Sequence, residues 1–218
     1  MRFDEPLDGW FTYVTWDIDV RLAGAVVRAS ARRDAHREHL IGLARELAGE
    51  LGVRTAHALE ATVIPPIAGG PRYDLAVLVH GDRGLGDEVA KRAAALGLPV
   101  PELVLTGRNS GRIGDTEARD GEVLLNHFAG PVTPQDAVEA WKAVAPWYAE
   151  TLGVDNSTLL EAEPDAPFLI VNYAVIPGGV VPFLAGQMLR PSFHRVVRRR
   201  LRDAGITPYP VFTRRMSA

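Results

Sequence analysis

Between Ala166 and Met216 the chain passes through an apolar stretch, Phe168-Leu-Ile-Val-Asn-Tyr-Ala-Val-Ile176, and turns at Pro177-Gly178-Gly179. A long amphipathic segment follows from Val180 to Ala204, and then a short β-prone tail from Tyr209 to Thr213. That order is strand, helix, strand. Two strands expose an apolar face that a helix can cover only on one side, so the unit needs a partner layer to close its core.

The same order of elements occurs twice. In the first half, Phe11 to Val20 alternates and is rich in aromatic and β-branched residues, which predicts a strand. Leu40, Leu43, Leu47 and Leu51 recur at steps of three and four within Arg32–Leu51, which predicts a helix closed by Gly52. Thr55 to Ile64 and Tyr73 to His80 are predicted strands separated by a Pro/Gly loop. Leu85 to Leu96 is a predicted helix, and Glu102 to Thr106 a strand. Glycines and polar residues crowd Gly107 to Gly121, which suits a loop. The second half then supplies a strand at Glu122–Phe128 and a helix at Pro134–Leu152, with Thr133 as N-cap and Gly153 as stop. A short strand at Thr158–Ala162 precedes the closing strand–helix–strand. The expected organisation is one repeat over 1–108, a linker over 109–121 and a second repeat over 122–218.

Each repeat is β-α-β-β-α-β, a ferredoxin-like unit with two helices on one face of an antiparallel sheet. The fold class predicted is α+β, two tandem ferredoxin-like repeats packed sheet to sheet as an α/β barrel with a cavity between them. The order of elements resembles the dimeric α/β-barrel superfamily in a tandem, single-chain arrangement. That resemblance implies a small-molecule-binding barrel, with cofactor-independent monooxygenases, cyclases and isomerases among its relatives. It also implies a haem-binding alternative, as in chlorite dismutases and dye-decolourising peroxidases. The peroxidases' Gly-x-x-Asp-Gly motif is absent, the nearest text being Glu117-Ala-Arg-Asp-Gly121.

A net charge of −3 over 218 residues argues against a nucleic-acid partner. The absence of cysteine removes disulfides, thiolate metal sites and thiol nucleophiles, and fits a cytoplasmic protein. No apolar run approaches the roughly 18 residues of a membrane span, so no membrane partner is expected. Phosphate loops, dinucleotide fingerprints, nucleophile elbows and His-Glu-x-x-His are all missing. A monomer or homodimer without a metal or resident cofactor is the leading expectation.

Polar residues inside apolar strands are the candidates for chemistry, because burying them is costly without a partner. Asn126 and His127 lie in Leu-Leu-Asn-His-Phe, and Asn172 and Tyr173 in Ile-Val-Asn-Tyr-Ala. Side chains alternate between faces, so either the two asparagines or His127 and Tyr173 line a cavity. The asparagines would bind substrate and hold a developing oxyanion, while His127, Tyr173 and Asp17 would serve as acid or base. Trp16 and Tyr13 are expected to bind substrate beside Asp17. If haem occupies the barrel, His194 or His127 is the axial ligand that the resemblance implies. Arg195, Arg198, Arg199 and Arg202 recur at helical spacing and form a candidate anion-binding row or partner-binding face.

Overall fold

The computed structural model describes residues 1–217, and they divide into two compact units. One comprises Met1–Leu7 and Asn109–Pro210, the other Asp8–Arg108 and the chain from Val211 on. These boundaries differ from the expected 1–108 and 122–218. The chain leaves each unit inside a strand: β6 (Leu103–Ile113) and β10 (Thr207–Arg215) both begin in one unit and end in the other.

In the unit built on residues 8–108, the elements are β1 (Trp10–Trp16), a two-residue hairpin β2 (Leu22–Ala23) and β3 (Val26–Val27), and α1 (Ala31–Ala48). β4 (Val53–Val63), β5 (Leu75–Gly81) and α2 (Gly86–Ala95) follow. β4, β5, β1 and the first half of β6 pair in that order, all antiparallel, and the end of β10 pairs β4. Val14, Trp16, Val77 and Val79 point to one face and pack under Leu40, Leu43 and Leu47 of α1 and Val89 of α2. Helix α1 ends at Ala48 with Gly49 as its C-cap. Gly52 instead serves the following turn at φ +85, and Leu51 is fully exposed, so the helical stripe stops one turn earlier than its leucine spacing suggests.

In the unit built on residues 109–210, the elements are β7 (Glu122–Ala129), α3 (Pro134–Leu152), β8 (Ser157–Ala162), β9 (Ile170–Val175) and α4 (Val180–Met188). A π-helical stretch (Phe193–Arg198) then runs into α5 (Arg199–Asp203). The strand order is β10-β7-β9-β8, and β8 lies next to β6. The helices cover one face through Trp141, Val144, Ala145, Phe193, Val197 and Leu201. The segment expected as one stretch from Val180 to Ala204 is broken at Leu189–Arg190, just before Pro191, whose ring cannot continue the preceding helix.

The expected loop from Gly107 is, as far as Ile113, the second half of β6. Leu103, Leu105, Gly107, Asn109, Gly111 and Ile113 are buried in strict alternation. Its polar composition has two causes. The Asn109 amide donates to the carbonyls of Gly111 at 2.7 Å and Leu159 at 2.8 Å, which satisfies it inside the sheet. Gly111 lies under the Trp141 ring, and a Cβ there would approach ring carbon Cζ3 to 2.8 Å.

Candidate functional site

In the unit of residues 109–210 the helix-facing side of the sheet is apolar except for one polar group of side chains. Register dictates their meeting: Asn126 of β7 lies directly opposite Asn172 of β9, and Leu159 of β8 opposite Asn172 on its other side. With alternation, Leu124, Asn126 and Phe128 share a face with Asn172, Ala174 and Ser157. Above them α3 presents Trp141, Val144, Ala145 and Tyr148, a three- and four-residue spacing that keeps them on one side of the helix. A capping box at Thr133 and Asp136 starts that helix, and left-handed Gly153 at φ 70 ends it. Phe183 of α4 and Leu201 of α5 close the top. Between these layers is a cavity of about 40 Å³.

The hydrogen-bond inventory of the cavity is incomplete. The Ser157 hydroxyl donates to Asn172 Oδ1, which leaves the Asn172 NH2 as an uncommitted donor. Asn126 Oδ1 is buried and has no partner. Burial pushes the Tyr148 hydroxyl well above its ordinary pKa, so it stays a neutral donor. Asn156, at the edge, is fully used: it donates to the Val175 carbonyl at 2.9 Å and accepts from the Val175 N–H at 2.8 Å. Among the described residues that line the cavity, none carries a carboxylate, imidazole, ammonium or guanidinium group. The arrangement can therefore bind and polarise a neutral ligand. It has no strong acid or base of its own.

His127 and Tyr173 occupy the opposite face of the same sheet. His127 is fully buried, its Nδ1 is 3.0 Å from the Tyr209 carbonyl, and its ring packs 5.0 Å from Phe168. Desolvation holds its pKa down at about 4, so it is a neutral imidazole at pH 7. Tyr173 donates its hydroxyl to Glu117 Oε1 at 3.2 Å. Neither borders this helix-side cavity; both lie on the sheet face turned away from the helices, one of the two faces the sequence left open as the cavity lining.

Tyr13, Trp16 and Asp17 belong to the other unit. The buried hydroxyls of Tyr13 and Tyr73 hydrogen-bond to each other, and burial raises the pKa of both. Trp16 is core. Asp17 is exposed beyond the end of β1, where it accepts the Val20 N–H at 3.1 Å and lies 3.8 Å from Arg72. Its carboxylate holds a turn and is not among the residues that line the cavity.

Arg195, Arg198, Arg199 and Arg202 are exposed on the outer surface. Arg199 and Arg202 share Asp203 at 3.7 and 3.6 Å, and Arg198 is 3.4 Å from His194 Nδ1. His194 is exposed, with Nε2 3.0 Å from the Met188 carbonyl. Haem does not fit this cavity. Its lining has no histidine, and about 40 Å³ is far below the roughly 300–1,000 Å³ of ordinary cofactor sites.

Of the lining residues, the sequence singled out only Asn126 and Asn172. Trp141 and Tyr148 were legible only as part of a helix and Phe183 as part of an amphipathic segment, while Ser157 lay one residue before the expected strand Thr158–Ala162. Ser157 carried a usable clue, since a hydroxyl in a short apolar strand is a polar group that needs a partner.

No protein-family model and no curated protein matches the chain. Among solved structures, an anthrone oxidase-like protein superposes with a TM-score of 0.55 at 14% identity, covering 95% of this chain and 90% of its own. A chlorite dismutase-like protein superposes at 0.53 and 11% identity, covering 95% and 94%. These likenesses show the fold, an α+β arrangement built from ferredoxin-like units.

Proposed function

We propose that the protein binds a small carbonyl- or phenol-bearing apolar molecule against Asn126 and Asn172. It would turn that molecule over through its enolate or phenolate, in a cofactor-independent oxidation, cyclisation or isomerisation. The observation that carries this reading is Asn126, whose carbonyl oxygen is buried without a partner in an aromatic-walled cavity. An amide in that state costs about 1–3 kcal/mol, which a complementary ligand removes. An enol or phenol hydroxyl donates to Asn126 Oδ1, and the Asn172 NH2 donates to oxygen as charge develops there.

Because the lining has no base, the substrate's proton passes to water, which suits a C–H or O–H that is already acidic. In the oxidising branch dioxygen is the oxidant: it adds to the enolate carbon, a C=O forms, and one oxygen atom leaves as water. An anthrone oxidase-like protein of the same fold makes aromatic ketones a rational first probe set. Single-ring members are the smallest such probes, and at about 40 Å³ the cavity holds even these only by opening on binding.

Calorimetric titration with hydroxylated aromatic ketones, with dioxygen uptake followed alongside, tests the reading. Asn126→Leu is expected to weaken binding by about tenfold or more while leaving thermal stability equal or higher. Equal affinity of wild type, Asn126→Leu and Asn172→Leu would remove the asparagines from the site. A Soret band on adding hemin, lost in His127 or His194 variants, would replace this reading with haem chemistry.

A further inference from the structure

Helix α4 is apolar on both sides. Val180 and Phe183 are buried beneath it, yet Val181, Ala185, Met188 and Leu189 recur at i, i+4, i+7 and i+8 and face solvent. Val181 is 78% exposed, Met188 51% and Leu189 81%. A helix apolar all round is ordinarily covered on all sides, and no charged residue interrupts Val180–Leu189.

Directly after this stripe the charge turns strongly positive. Between Arg190 and Asp203 there are six arginines, no lysine, no glutamate and a single aspartate. Among the described residues Arg190 and Arg195 have no hydrogen-bond or ion-pair partner. The contact of His194 with the Met188 carbonyl, and of Arg198 with His194, places Arg198 beside the end of α4. An uncovered apolar stripe thus adjoins a cationic rim, on a chain whose net charge is −3.

We infer that this face docks on an anionic phospholipid surface. The outer stripe of α4 enters the boundary between headgroups and acyl chains, and Arg190, Arg195 and Arg198 pair with lipid phosphates. The sequence expectation of no membrane partner rested on the lack of a spanning run, whereas surface contact needs only a short apolar stripe with a basic border. Charge selects this occupant over a second copy of the chain. A two-fold contact through the same face would bring each arginine cluster against its own image.

Flotation of the full chain with vesicles decides the matter, using phosphatidylcholine alone and phosphatidylcholine mixed with phosphatidylglycerol. Binding to the anionic vesicles is expected at least tenfold tighter than to the neutral ones, and weaker as salt is raised. Leu189→Asp, and separately Arg190→Glu with Arg195→Glu, are each expected to lower that affinity by about tenfold or more. All three residues are exposed, so far-UV circular dichroism is expected to stay unchanged. Absence of binding to either vesicle overturns the inference. So does binding that ignores lipid charge, or a dimer that Leu189→Asp dissociates.

Discussion

Asn126 and His127 are adjacent in sequence and have opposite surroundings. Asn126 faces the helices and borders the cavity with its amide uncommitted, whereas His127 faces the other way, fully buried and hydrogen-bonded to Tyr209. The depressed pKa of His127 has a consequence for stability. The unfolded imidazole takes up its proton near pH 6.5, while the folded one resists until about pH 4. Stability is therefore complete above pH 6.5 and is lost as pH falls through that window, by up to about 3 kcal/mol. Urea unfolding at pH 7 and pH 4 is expected to show a smaller difference for His127→Gln than for wild type, by a large part of that amount. The sequence showed that each Asn-containing pair splits between two faces. Which member meets the cavity followed only from the Asn126–Asn172 register and from the side on which α3 sits.

Elements whose ends are encoded locally matched their sequence signals closely. Helix α3 runs Pro134–Leu152 as expected, because the Thr133–Asp136 box, Pro134 and Gly153 each act within a turn of the chain. Thr133→Ala is expected to cost about 1 kcal/mol in chemical denaturation, the usual value of an N-cap hydroxyl. Strand β6 is the opposite case. Gly107, Asn109 and Gly111 look like loop residues, but Asn109 is satisfied by Leu159, 50 positions away, and Gly111 by its closeness to Trp141. Local composition has no access to either reason. α4 shows the same limit, since its apolar sequence predicted a helix without saying that one face stays uncovered.

For the molecule as a whole, the order of elements was legible and the boundaries between units were not. Phe212 to Arg215 pair with β4, where Arg214 donates to Glu60 at 2.9 and 2.7 Å and Arg33 lies 3.1 Å from the same carboxylate. Arg33 and Glu60 are both nearly fully buried, so removing the carboxylate leaves a desolvated guanidinium. Glu60→Ala is expected to cost about 3 kcal/mol or more, read by thermal or urea unfolding, although it lies far from the cavity. The sequence by itself determined the twofold β-α-β-β-α-β order, the helix ends and the polar positions within strands, because periodicity and capping act over a few residues. Tertiary structure decided which unit holds Val211–Arg215, that the Asn126–Asn172 face lies under α3 and α4, and that His127 and Tyr173 take the opposite face of the same sheet. Those outcomes depend on strand register and on contacts between residues far apart in the chain, where one residue of slip would exchange every face.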